Sequence, residues 1–184
     1  LCALNPENPM TASLLALGAA QTTDLFIKKN LEAGLLLKKI RKAVLENARD
    51  SLYAAIILAP EMLGIAAAAN PETGLNTPGQ DVSLPGVDNP PVGGASLDFF
   101  YIQASSSFDE NRVETAITSL LQPGSDIRVT SMTVDRDTLL GMFTENENEA
   151  GLAAYQMLHE GMLLFGFENF YTLILEAFAR KLSA

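Results

Sequence analysis

The feature that most limits how this chain can fold is a Pro/Gly-rich stretch over residues 70–96. It holds five of the nine prolines and five of the thirteen glycines. Proline fixes φ and carries no backbone N–H, and glycine favours turns, so neither a helix nor an interior strand runs through it. The stretch reads as an extended arm. Structureless segments beyond about 15 residues are uncommon inside compact domains. The arm is therefore expected to lie on the chain's own body or on a neighbour, with Pro85, Pro90 and Pro91 as contact residues. It separates an N-terminal helical region, 1–69, from a C-terminal part, 97–184, and the two flanks are expected to share one domain.

Hydrophobic residues make up 48% of the chain and charged residues only 18%, where about a quarter is usual for a soluble domain. The surplus apolar surface must enter a core, a subunit interface or a bilayer. A net charge of −10 argues against bulk nucleic-acid binding, so nucleic acid is disfavoured as a partner. The charge is also uneven. Residues 1–50 carry seven of the twelve basic residues and five of the 22 acidic ones. A basic start against an acidic remainder suits head-to-tail self-association or an acidic partner. The single cysteine, Cys2, excludes an intrachain disulfide. After Leu1 it fits the acylated position of a lipoprotein signal, but an ordinary small residue is the preferred reading.

Periodicity reads as mainly α with a small α+β element: long helices around 24–69 and 147–182, and a strand–helix–strand unit at 97–134. Prolines make 5–9 a loop, Thr11 caps a first short helix, and Thr22-Thr23-Asp24 starts the next. Over 24–50, Ala33, Leu36, Leu37, Ile40, Ala43 and Val44 share one helix face. Lys38, Lys39, Lys42 and Arg49 share the opposite face, with Leu31 and Leu35 widening the apolar surface. Residues 52–69 are apolar all round, with Pro60 as a break. A membrane span wants about 20 apolar residues, so a buried helix pair is preferred there.

Leu97–Gln103 and 126–134 read as strands, with Ser107 and Glu110 forming a capping box for the helix between them and Pro123-Gly124 ending it. The parallel pair this makes wants a third strand, from the arm or from another subunit. Asp135–Thr138 is a turn or cap before a short helix to Phe143, and Glu145–Glu149 is an acidic helix start. Residues 150–182 then read as one helix, loosened by Gly151, Gly161 and Gly166 and enclosed on most sides.

No motif carries chemistry. His159 is the sole histidine, whereas a nucleophilic triad, a three-ligand metal site or a pair of Glu-x-x-His motifs needs several converging groups. Phosphate-binding glycine loops fail because Pro91-Val-Gly-Gly-Ala-Ser96 precedes a strand instead of joining a strand to a helix. The acidic residues between Asp98 and Glu149 lack calcium-loop spacing. No catalytic residue, cofactor or metal is expected. The basic cluster Lys38-Lys39-Ile40-Arg41-Lys42 holds no aromatic residue for base stacking. It reads as a solvated helix face or as a contact for an acidic patch.

The expectation is a non-enzymatic structural or assembly subunit of a large homo-oligomer: a virion, a phage particle or a surface filament. Its partners would be copies of itself or other subunits, met through helix packing and the arm. The favoured place is a virion or an extracellular, cell-surface assembly. The expected interface residues are Lys38, Lys39, Arg41, Lys42, Pro85, Pro90, Pro91, Phe165, Phe167 and Phe170. The alternative is a membrane-active ejection, pore or envelope component, which lays the amphipathic 24–50 helix on anionic lipid and inserts 52–69. An enzyme or small-molecule-binding domain built on the strand–helix–strand unit ranks third. A pocket joining His159 to several carboxylates would favour it.

Overall fold

A computed structural model describes residues 8–68, 95–121, 127–144 and 149–182. The chain is mainly α with a small four-stranded mixed sheet, as expected. The first helix, α1 (Pro9–Lys29), starts at Asn8, whose side chain accepts the Met10 N–H at 3.0 Å. Pro9 then occupies the first turn, where its missing donor costs nothing. Lys28 and Lys29 sit in the last turn, against the negative end of the helix dipole. A second helix, α2 (Leu31–Ala48), follows after Asn30 alone. The break between helices therefore falls at Asn30 and not at Thr22–Asp24. The Thr22 and Thr23 hydroxyls donate back to the carbonyls of Gly18 and Ala19 inside the helix, so they do not cap a new one.

Residues 52–69 are not a helix pair. Leu52–Leu58 is a strand, β1, and Met62–Ala68 a short helix, α3, with Pro60 in the turn between them. β1 is an interior strand, antiparallel to both β2 (Ser96–Gln103) and β4 (Met162–Phe165). Ala54, Ala55, Ile56 and Ile57 are all at most 1% exposed. A strand buried on both faces shows no polar–apolar alternation, so its sequence resembles that of a buried helix. The 150–182 run is likewise interrupted, into α6 (Glu149–His159), β4 and α7 (Phe167–Leu182). Gly166 has φ +75, and a Cβ there would collide with the Tyr53 carbonyl oxygen. The turn from β4 into α7 passes so close to β1 that only glycine fits.

The strand–helix–strand unit forms from β2, α4 (Glu110–Thr118) and β3 (Arg128–Val134), with β2 and β3 parallel. Its helix is capped by Asp109 and not by Ser107. The Asp109 carboxylate accepts the Arg112 N–H at 3.1 Å, while the Ser107 hydroxyl pairs with that of Ser105 at 2.6 Å. Among the described residues the further strands are the chain's own β1 and β4, and the sheet order is β3-β2-β1-β4. Pro123-Gly124, Glu145, Glu147, Cys2 and residues 70–94 of the arm lie outside the described residues.

The sheet is covered on both faces. On one side Leu37, Ile40 and Val44 of α2, Leu63 of α3 and Val113 and Ile117 of α4 pack on Ile57, Leu97, Phe99 and Tyr101. On the other side α6, α7 and a further helix, α5 (Arg136–Thr144), pack Leu139, Met157, Phe170 and Ile174 on Ile56, Phe100, Ile102 and Leu163. α1 lies along the β4 edge, where the Thr23 hydroxyl donates to the Leu163 carbonyl at 3.4 Å. β1 belongs to the N-terminal flank and pairs with strands of the C-terminal flank, so the two flanks share one sheet. Each fully buried Ile, Leu or Phe contributes about 1.5–3 kcal/mol to that core.

Candidate functional site

Three places on this fold carry unspent chemistry. The first is the outward face of α1. Ala12, Ala16 and Thr23 point inward and are at most 8% exposed, whereas Met10, Leu14, Leu17 and Leu25 are 53–68% exposed. At 100° per residue these four fall within about 80° of arc, along a helix about 30 Å long. Leu31 and Leu35, at the start of α2, are exposed too, and Lys38, Lys39 and Lys42 continue that face. Sequence reasoning gave α1 no role. The 10, 14, 17 spacing of Met and Leu was its visible signal.

The second place is a cavity of about 320 Å³ between α1, the α6–β4 connection and the start of α7. Its lining is largely apolar, including Phe26, Ile56, Met157 and Phe170, and His159 and Tyr171 bring polar atoms to it. Burial pushes the Tyr171 hydroxyl above its ordinary value, so it stays protonated and serves as a donor. The pocket that would favour an enzyme joins His159 to several carboxylates, and this lining brings Glu160 alone. Among the described residues no group of three or more His, Cys, Asp or Glu side chains converges.

The third is a polar cluster between α4 and β3. The carboxylates of Glu110 and Glu114 both take the hydroxyl of Ser131. Ser131 and Thr133 share a sheet face with Tyr101, which pairs with Thr133 across the parallel ladder. The Tyr101 side chain is fully buried, and among the described residues neither its hydroxyl nor that of Thr133 has a hydrogen-bond partner. Burial pushes the Tyr101 hydroxyl far up, and the charges of Glu114 and Glu110 push it further.

The residues expected to form an interface are scattered. Lys38, Lys39, Arg41 and Lys42 are all exposed on α2; Lys42 makes a surface ion pair with Glu46 at 3.6 Å, and the Arg41 guanidinium sits 5.9 Å from the Phe167 ring centre. Phe165 packs partly buried on the α2 side of the sheet. Phe170 is only 2% exposed, so it is spent in the chain's own core and offers no surface to a partner. Pro85, Pro90 and Pro91 lie outside the described residues.

The apolar face of α2 is buried, with Leu37, Ile40 and Val44 at most 1% exposed, and residues 52–58 are the interior strand. Among the described residues no helix is long and apolar enough to cross a membrane.

No family model, no curated protein and no solved structure matches this chain. The functional reading therefore rests on the surfaces themselves.

Proposed function

We propose that this chain is a non-enzymatic assembly subunit that packs against copies of itself, and that the copies meet along the outward face of α1. The observation that carries this reading is that Met10, Leu14, Leu17 and Leu25 lie on the outward face of α1, beside Gln21 and Lys28, and nothing among the described residues covers them. Large apolar side chains exposed together on one face mark an interaction surface. Burying four large side chains would gain several kcal/mol, at about 1.5–3 kcal/mol for each. Spacing of four and three residues between Met10, Leu14 and Leu17 suits packing against a second helix with the same spacing. A two-fold axis supplies that helix from an identical chain. The basic outer face of α2 against an otherwise acidic chain gives a second, head-to-tail contact, through which dimers extend into a larger particle such as a virion, phage particle or surface filament.

Solution mass tests the reading. By light scattering the wild-type chain should run at a multiple of its 19.7 kDa monomer mass. The double variant Leu14→Glu/Leu17→Glu should fall to the monomer with an unchanged circular dichroism spectrum, because both side chains lie outside the core. A wild type that stays monomeric, or a variant that assembles as well as the wild type, would overturn it.

A further inference from the structure

We propose that the cluster of Glu110, Glu114 and Ser131, with the hydroxyls of Thr133 and Tyr101 behind it, is a binding site for one divalent, oxygen-preferring cation of the magnesium, calcium or manganese kind. Glu110 and Glu114 are one helical turn apart on α4, so both carboxylates project toward the same part of β3. They meet at a single acceptor-rich point. Ser131 has one hydroxyl proton and can donate it to only one of the two carboxylates in contact with it. The other carboxylate is left facing a like charge, and among the described residues no salt bridge reaches either of them. The start of α4 offsets part of the repulsion on Glu110 through the positive end of its dipole. A divalent cation between the two carboxylates cancels the rest.

The second, independent observation is Tyr101. Its side chain is fully buried, yet among the described residues its hydroxyl has no partner, and leaving a buried polar group unpaired is destabilising. Its ring is held by a stacked Phe99 at 6.1 Å and an edge-on Phe108 at 5.2 Å between ring centres. The hydroxyl lies within the electrostatic reach of both carboxylates. Thr133, its ladder neighbour, has a buried hydroxyl with the same deficit. A cation held by Glu110, Glu114 and Ser131, carrying part of its hydration shell, would give both hydroxyls the partners they lack. The donors are all oxygen, with no imidazole or thiolate among them, which selects hard cations over zinc or copper.

Terbium and manganese are suitable probes, because the chain has no tryptophan and any sensitised terbium emission must come from tyrosine. The full chain should bind one Mn2+ by calorimetry, and one Tb3+ with tyrosine-sensitised luminescence. Glu110→Gln and Glu114→Gln should each weaken Mn2+ binding by about tenfold or more. Tyr101→Phe should remove most of the terbium emission while Mn2+ still binds. Calcium should raise the melting temperature of the wild type and not of Glu114→Gln, which separates lost binding from lost folding. Absence of Mn2+ binding by the wild-type chain at about millimolar concentration would overturn the proposal. Binding undiminished in both glutamine variants would overturn it equally.

Discussion

Gly166 and Gly18 show how the same residue type takes opposite roles in this chain. At Gly166 the backbone has φ +75, and an added Cβ would strike the Tyr53 carbonyl. Gly166→Ala should cost at least about 3 kcal/mol in urea denaturation, because a left-handed penalty adds to a backbone clash in the tightest turn of the core. Gly18 lies inside α1 with nothing within 4 Å of the Cβ position. Gly18→Ala should stabilise by about 0.5–1 kcal/mol, the ordinary gain from restricting the unfolded chain and favouring the helix. Glu176 sets a pH dependence. Burial pushes its carboxyl up, but hydrogen bonds from Arg136 at 2.5 and 2.7 Å and from Arg180 at 2.8 Å outweigh burial, so it is held below its ordinary value of 4.5. A carboxyl lowered in the folded state stabilises fully above the unfolded value and loses that contribution as pH falls through the folded one. The stability difference between wild type and Glu176→Gln, followed by urea midpoints, should be constant near neutrality and shrink as pH drops below about 4.5.

Among the described residues β3 is an edge strand of the sheet, and its hydrogen-bond phase makes a prediction. The Arg128 N–H donates to the Ala95 carbonyl at 2.9 Å, so the amides of Arg128, Thr130, Met132 and Val134 face β2 while those of Val129, Ser131 and Thr133 face outward. Hydrogen exchange should be slow for the first set and fast for the second, and slowest of all in β1. Slow exchange at Val129, Ser131 and Thr133 would mean that a partner strand covers this edge, and would move the assembly contact from α1 to β3. Legibility in the sequence also differed by element. β2 was readable from Phe99-Phe100-Tyr101, and β3 from its β-branched Val129, Thr130, Thr133 and Val134. β1 was not, because Ala54-Ala55-Ile56-Ile57 is buried on both faces and period-two contrast needs one wet face. β4 is only four residues, Met162-Leu-Leu-Phe165, all tolerated in helices, and only its flanking glycines marked it. The Glu110/Glu114 pair was visible as a one-turn spacing. That it meets Ser131 depends on α4 crossing back over β3, which no local pattern states.

On the scale of the whole molecule, one sheet carries both cores. Since β1 pairs with β2 and β4, neither flank should fold without the other. A fragment of residues 95–184 should lack the cooperative thermal transition of the intact chain, because removing β1 leaves β2 and β4 without their shared neighbour and both cores open. Outside those cores, α1 presents a stripe of Met10, Leu14, Leu17 and Leu25 to water. Assembly through that stripe is the central claim, and cross-linking tests it most directly. Leu17 lies near the middle of the stripe, so in a two-fold contact it meets its own copy whether the helices run parallel or antiparallel. With Cys2→Ser removing the native thiol, Leu17→Cys should give a reducible dimer on mild oxidation. Asn111→Cys, exposed on α4 away from the stripe, should give little. No dimer from Leu17→Cys, or as much from Asn111→Cys, would contradict the account.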